Sequence, residues 1–180
     1  MTNENDVMLV SACLRGDRSA FDVLVERYER PLYNAAYRIT GSIEDAMDAT
    51  QTAFVNAFEK LHTYNPDYRF FSWVYRIAVN QSLNIVGRRR DESELDDNIE
   101  AAVNNPETAY RGTERAELLE NAMMQLPPDH RAVIVLKHFE GFSYTEIAEL
   151  LDIPEKTVKS RLFSARQRLR SILNDLGVTP

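Results

Sequence analysis

Cysteine is almost absent. Cys13 is the only one in 180 residues, so no internal disulfide can form, and no Cys/His group has zinc-ligand spacing. Nor does any apolar run approach the ~18 residues that a membrane-spanning helix needs. The first residues, Met1-Thr2-Asn3-Glu4-Asn5-Asp6, lack the basic region that opens a secretory signal. These absences predict a cytoplasmic protein with no membrane insertion, no structural metal and no cofactor. Polar–apolar alternation of the strand type persists nowhere, which leaves an all-α chain. Positive charge is also in deficit, at a net −7, and that argues against indiscriminate nucleic-acid binding.

What is present is a folded composition, 44% hydrophobic and 27% charged, in a length that suits one ordinary domain or two small ones. The charge is unevenly placed. Residues 69–90 carry Arg69, Arg76, Arg88, Arg89 and Arg90 and no acid. Residues 156–170 carry Lys156, Lys159, Arg161, Arg166, Arg168 and Arg170, again with no acid. Between them, residues 91–129 hold 11 acids against two bases. One basic block is commonly a solvated helix face. Two acid-free blocks flanking an acidic stretch point to two polyanion-facing surfaces.

Apolar spacing predicts a short helix over residues 7–14 and a break at Gly16-Asp17. A second helix follows, with Pro31 inside it bending it or costing a hydrogen bond. Gly41 ends that helix. Ser42 with Asp45 caps a third, which runs to about Leu61 and turns Ile43, Ala46, Met47, Ala53, Phe54, Ala57, Phe58 and Leu61 inward. After a turn at Tyr64-Asn65-Pro66-Asp67, an aromatic-rich fourth helix starts near Phe70 and ends in the arginine triplet. Residues 93–113 are acidic, weakly periodic and contain Asn104-Asn105-Pro106. They are expected to link a domain at 1–92 to a second at 114–180.

The most specific pattern lies at 141–170. Ser143-Tyr144-Thr145-Glu146 is a capping box. The helix that it starts buries Ile147, Ala148 and Leu151. Asp152-Ile153-Pro154 makes a short turn, and the next helix sets Val158, Leu162, Ala165 and Leu169 along one seam. This is the helix-turn-helix plan. Opposite the seam lies a short polar face rimmed by cations, suited to base edges in a major groove with phosphates on either side. The bland alternative is a helical hairpin whose last turn is basic because cations favour helix C-termini.

Residues 126–170, with Gly141-Phe142-Ser143-Tyr144-Thr145-Glu146-Ile147-Ala148 and Thr157-Val158-Lys159-Ser160-Arg161-Leu162, resemble region 4 of the extracytoplasmic-function sigma factors. Residues 20–90 resemble region 2, through Glu44-Asp45-Ala46, Gln51 and Phe54, and through Ser72-Trp73-Val74-Tyr75-Arg76-Ile77-Ala78-Val79-Asn80. The two motifs stand in the family's order. The resemblance implies a region 2 helical bundle and a region 4 helix-turn-helix that bind core RNA polymerase and promoter DNA. Region 4 would read the −35 element as duplex, and region 2 would melt the −10 element and hold it as a single strand. The acidic linker would run through the RNA exit path of the polymerase. An anti-sigma protein is the further partner that the family implies, and nothing in the sequence says which.

By position, the third helix would dock the β′ clamp through Asp45, Asp48, Gln51 and Thr52. Thr52 stands where the family usually has an acid, which shifts the contact toward Asp45 or Glu59. Tyr64, Asn65, Tyr68 and Asn80 suit an unstacked base of the −10 strand, and Arg69, Arg76 and Arg88 suit its phosphates. Phe70 and Trp73 read as core. For the −35 element the candidates are Lys156, Thr157, Lys159, Ser160, Arg161, Phe163, Ser164 and Arg166. Lys156 replaces a usual Gly, and Ser164 replaces a common Arg.

Two other classes fit less well. Glu44, Asp45 and Asp48 on one helix suggest a metal-dependent nuclease only if further ligands exist, and none is placed for it. A duplex-binding regulator that works without polymerase would need a sensor or dimer surface, where residues 20–90 offer a polymerase-docking pattern.

Overall fold

The computed structural model describes residues 3–95 and 114–177, all helix and turn with no strand among them. The first unit comprises α1 (Asn3–Leu14), α2 (Ser19–Thr40), α3 (Ile43–Glu59), a 3-10 turn (Leu61–Thr63) and α4 (Phe70–Leu95). Its core is built from the apolar faces of α2, α3 and α4, with Leu24, Leu32, Ile39, Ala53, Phe70 and Val74 shut off from solvent. α1 is fastened to α2 through a polar tie: buried Asp6 accepts from Arg27 and from the Tyr28 hydroxyl. That pairing is what allows a carboxylate to be buried there.

α2 continues through Pro31 and stops at Gly41, whose φ of +72° is the left-handed helix end that glycine adopts at least cost. Ser42 then caps α3 by accepting from the Asp45 amide at 3.3 Å. α3 buries a narrow seam of small residues, Ala46, Ala49, Ala53 and Ala57. Because the seam is narrow, Met47 and Phe58, expected inward, stand on the surface. The fourth helix also differs from expectation. It runs through the arginine triplet to Leu95, since no glycine or proline lies between Gly87 and Leu95 to stop it. Of the expected linker, residues 96–113 lie outside the described residues.

The second unit comprises α5 (Glu114–Met124), α6 (Pro128–Ile134) with a π-helical turn (Val135–Phe139), α7 (Tyr144–Leu151) and α8 (Glu155–Asp175). Pro128 starts α6, where its missing N–H removes no helical bond. Ala132, Val133, Leu136, Ile147, Val158, Leu162 and Ala165 close its core.

The two units are packed together. One buried cluster passes from Leu24 and Tyr75 to Val133, Leu136 and Phe142. Phe142 stacks on Phe71, with centroids 6.0 Å apart and 11° between planes, and meets Tyr75 edge-on at 5.4 Å. The backbone at Gly41 approaches α5 so closely that an added Cβ would lie 2.5 Å from the Met124 sulfur. Arg131 is buried beside this seam and donates to the Met124 carbonyl at 3.2 Å. Its burial pulls the guanidinium down to about 10.

Candidate nucleic-acid and polymerase interfaces

The helix-turn-helix forms as its sequence requires. Glu146 donates its amide to Ser143 Oγ at 3.2 Å, and Ser143 donates its own to Glu146 Oε2 at 2.8 Å. Those bonds hold the Glu146 carboxyl below its ordinary range. α7 buries Ile147 and Leu150, while Ala148 and Leu151, expected inside, are half-buried. The turn is made by Asp152 at φ 53°, a left-handed conformation in a residue with a Cβ. α8 buries Val158, Leu162 and Ala165.

On its outer side, Lys156, Lys159, Ser160, Phe163 and Arg166 are exposed, and Thr157, Arg161 and Ser164 are half-buried. Phe163 is 65% exposed, a large apolar ring with nothing to cover it in the free chain. Three cations on α8 have neighbours that aim them. Arg161 pairs with Asp129 at 2.9 Å, Lys159 pairs with Glu155 at 2.6 Å, and Arg166 contacts His138 Nε2 through Nε at 3.3 Å and Nη2 at 3.1 Å. Glu155 in turn accepts from Thr145 at 3.0 Å, which ties α8 to α7. Neither Asp129 nor His138 was singled out by sequence reasoning, because each is brought to α8 by the folding of α6 and the π-helical turn.

The second candidate surface lies between the 3-10 turn and α4, in a cleft of about 580 Å³. Asn65, Tyr68, Arg69 and Arg76 line it, together with Ser72 and Trp73. Tyr68 is 59% exposed. Tyr64 differs: its ring is buried against Phe70 and Trp73, and its hydroxyl donates to the Tyr68 carbonyl at 2.6 Å. Tyr64 therefore shapes the turn that displays Tyr68. Phe70 is core, as its pattern suggested, and Trp73 is half-buried at the cleft wall. Asn80 and Arg88 are exposed farther along α4 and do not line the cleft. Its far wall is Glu146, Glu149 and Leu150 of α7. Those three were missed, since nothing local in sequence joins residues some eighty positions apart.

On α3, Asp48 and Gln51 are exposed and Thr52 is half-buried. Gln51, with Met47 and Thr50, borders a smaller cleft of about 260 Å³ against Glu29, Arg30 and Tyr33 of α2. Asp45 is engaged by Arg89 of α4 at 2.6 Å. Burial raises its carboxyl, and the arginine opposes that rise. Among the described residues, no group of three or more His, Cys, Asp or Glu could hold a metal ion.

Comparison with known proteins decides what these surfaces belong to. Residues 24–92 match the model of Sigma-70 region 2, and residues 116–169 match that of Sigma-70, region 4. The RNA polymerase sigma-H factor of Pseudomonas aeruginosa is 34% identical over 98% of this chain and 97% of its own length. The ECF RNA polymerase sigma-E factor of Escherichia coli K12 is 35% identical over 91% of this chain and 92% of its own. The chain belongs to the sigma-70 family, in its ECF group.

Two solved structures agree with the fold. The sigma factor RpoE of Bartonella quintana, in complex with the anti-sigma factor NepR, superposes with a TM-score of 0.72 at 25% identity, over 86% of this chain and 96% of that one. CnrH, in complex with the cytosolic domain of CnrY, superposes at 0.70 with 27% identity, over 95% and 98%. The sigma factor thus directs core RNA polymerase to promoters, as a transcription initiation factor. A free-standing duplex-binding regulator is not favoured, because the polymerase-binding region 2 is present over 24–92.

Proposed function

We propose that the division of labour within this sigma factor follows its two cationic surfaces. α8 reads the −35 duplex, with Lys156, Ser160 and Phe163 setting base preference and Thr157 and Ser164 flanking them. Lys159, Arg161 and Arg166 hold phosphates. The cleft beside α4 takes the −10 strand: Tyr68 and Asn65 meet an unstacked base and Arg69 and Arg76 its phosphates, Asn80 and Arg88 meet the same strand farther along α4, and Tyr64 supports the turn. α3 docks the polymerase β′ clamp through Asp48, Gln51 and Thr52, with Asp45 steadied by Arg89. Residues 93–113 connect the two domains. The factor works in the cytoplasm without a cofactor, and an anti-sigma protein of the kind that accompanies its solved relatives restrains it.

The observation that carries the −35 assignment is the α8 surface itself. Opposite a fully buried seam it sets an exposed Phe163 among cations, two of them aimed by Asp129 and His138. A thymine methyl suits the ring, and phosphates suit the rim. The test is selection of randomised −35 sequences by holoenzyme at two salt concentrations. Arg166→Ala should weaken all sequences alike and reduce the salt slope by about one unit. Lys156→Gly or Ser164→Arg should change which sequences are preferred. If Arg166→Ala reorders the preference while the other two leave it intact, the roles are misassigned.

A further inference from the structure

α1 lies ahead of the stretch that matches region 2, which begins at residue 24. It packs on α2 and also touches α4 and the 3-10 turn. Among the described residues, Asp6 of α1 is the one carboxylate closed off from solvent, at 5% exposure. Both of its oxygens are used: Oδ1 accepts from Arg27 and Oδ2 from the Tyr28 hydroxyl. An apolar residue at that position would hold α1 to α2 without the cost of desolvating a charge, so stability alone is a weak reason for the pair.

From Tyr28 a chain of rings leads to the turn that displays Tyr68. The Tyr28 ring lies 5.9 Å from that of Phe70, centroid to centroid. Phe70 meets Tyr64 edge-on at 5.5 Å. The Tyr64 hydroxyl donates to the Tyr68 carbonyl at 2.6 Å. Tyr28, Phe70 and Tyr64 are all buried, so none can turn without displacing the next. Asp6 reaches the same turn through its charge: burial first, and then this carboxylate, push the Tyr64 hydroxyl up. Tyr64 is thereby kept protonated and able to donate.

We infer that Asp6 is a positioning residue for promoter opening: by fixing the Tyr28 hydroxyl it fixes the rings on which the turn rests, and so the way Tyr68 is presented to the −10 strand. α1 is then part of the −10 module. The inference rests on the reading of Tyr68 as a −10 contact.

The test is a double-mutant cycle with holoenzyme, on a promoter that the wild-type holoenzyme selects from a random library. The rate of bubble formation is read from the permanganate reactivity of its thymines. Tyr28→Phe removes the hydroxyl and keeps the ring, so the core stays filled. Asp6→Ala removes the acceptor of both bonds. Each is made alone and together with Tyr68→Ala, and the affinity of each variant for core polymerase is measured beside it. Tyr28→Phe should slow opening about three- to tenfold, the range that one hydrogen bond sets, with polymerase affinity unchanged. Asp6→Ala should slow it at least as much, and if that variant does not fold, Tyr28→Phe alone decides. In the Tyr68→Ala background neither should slow opening further, because a residue that acts through Tyr68 has nothing left to position. A residue that served the fold alone would weaken polymerase binding too, and its effect would add to that of Tyr68→Ala.

Opening at the wild-type rate in Tyr28→Phe would overturn the inference. So would a loss that adds in full to that of Tyr68→Ala. In either case, Tyr68→Ala alone tells which idea failed. If it slows opening, the −10 contact stands and only the role of Asp6 falls. If it opens the promoter normally, the −10 contact falls and the inference falls with it.

Discussion

Single residues show most clearly how neighbours aim the cations of α8. His138 is the acceptor for Arg166, and burial, followed by the charges of Arg166 and Lys137, holds its imidazole below the ordinary histidine range. It is therefore neutral near pH 7 and able to accept. Protonation would remove the acceptor and place a cation beside Arg166. The sign follows from the lowered value: the unfolded chain takes up its proton first as pH falls. Stability attached to His138 is present above about pH 6.5 and is lost as pH drops below it. His138→Gln should flatten the difference in melting temperature between pH 7 and pH 5, and should keep DNA affinity by offering an amide oxygen. His138→Ala should flatten it equally and weaken −35 binding as a partial Arg166→Ala does. An unchanged pH profile in both variants would detach the pair from the acid limb.

Side-chain roles were legible in sequence where one helix decides them. The outward positions of Lys156, Ser160 and Phe163 follow from the period of α8 alone. Tyr64 and Tyr68 could not be ranked that way. They sit in one turn, and which ring goes inside depends on Phe70 and Trp73 packing above it.

At the level of elements, caps and turns explain why α7 and α8 begin and end where they do. Ser143→Ala removes half of a capping box and should cost about 1 kcal/mol in denaturant unfolding. Asp152 ends α7 in the left-handed region without being glycine. Asp152→Gly should relieve that and raise stability by up to about 1 kcal/mol, offset in part by the greater freedom of glycine when unfolded. A loss on Asp152→Gly would mean that the aspartate side chain contributes more than its backbone costs. The capping box was readable because its residues are three apart. The extent of α4 was not, because the composition change at Asp91 suggests a break, while the helix continues through it to Leu95. α3 is the middle case. Ala46, Ala53 and Ala57 were correctly placed inside, but so narrow a seam leaves no room for Met47 or Phe58. Those two, with Val55, give the surface around Asp48 and Gln51 an apolar character that suits a protein partner.

Across the whole molecule, the sequence defined two units and their order. Their mutual packing depends on Phe71, Tyr75 and Phe142 meeting over long separations, which periodicity does not encode. Limited proteolysis of the free protein should cut first within residues 93–113, where acidic residues and Asn104-Asn105-Pro106 offer no apolar face to bury. Primary cleavage inside α3, α7 or α8 would contradict the two-unit organisation.

The central claim, that the face of α4 and its preceding turn hold the melted −10 strand, is tested most directly by permanganate footprinting of the promoter bubble formed by holoenzyme. Tyr68→Ala and Asn80→Ala should leave polymerase binding intact and lower thymine reactivity. Each removes a group suited to an unstacked base, worth about 1–3 kcal/mol where a ring stacks. Thymine reactivity equal to wild type in both variants, with polymerase bound normally, would contradict the claim.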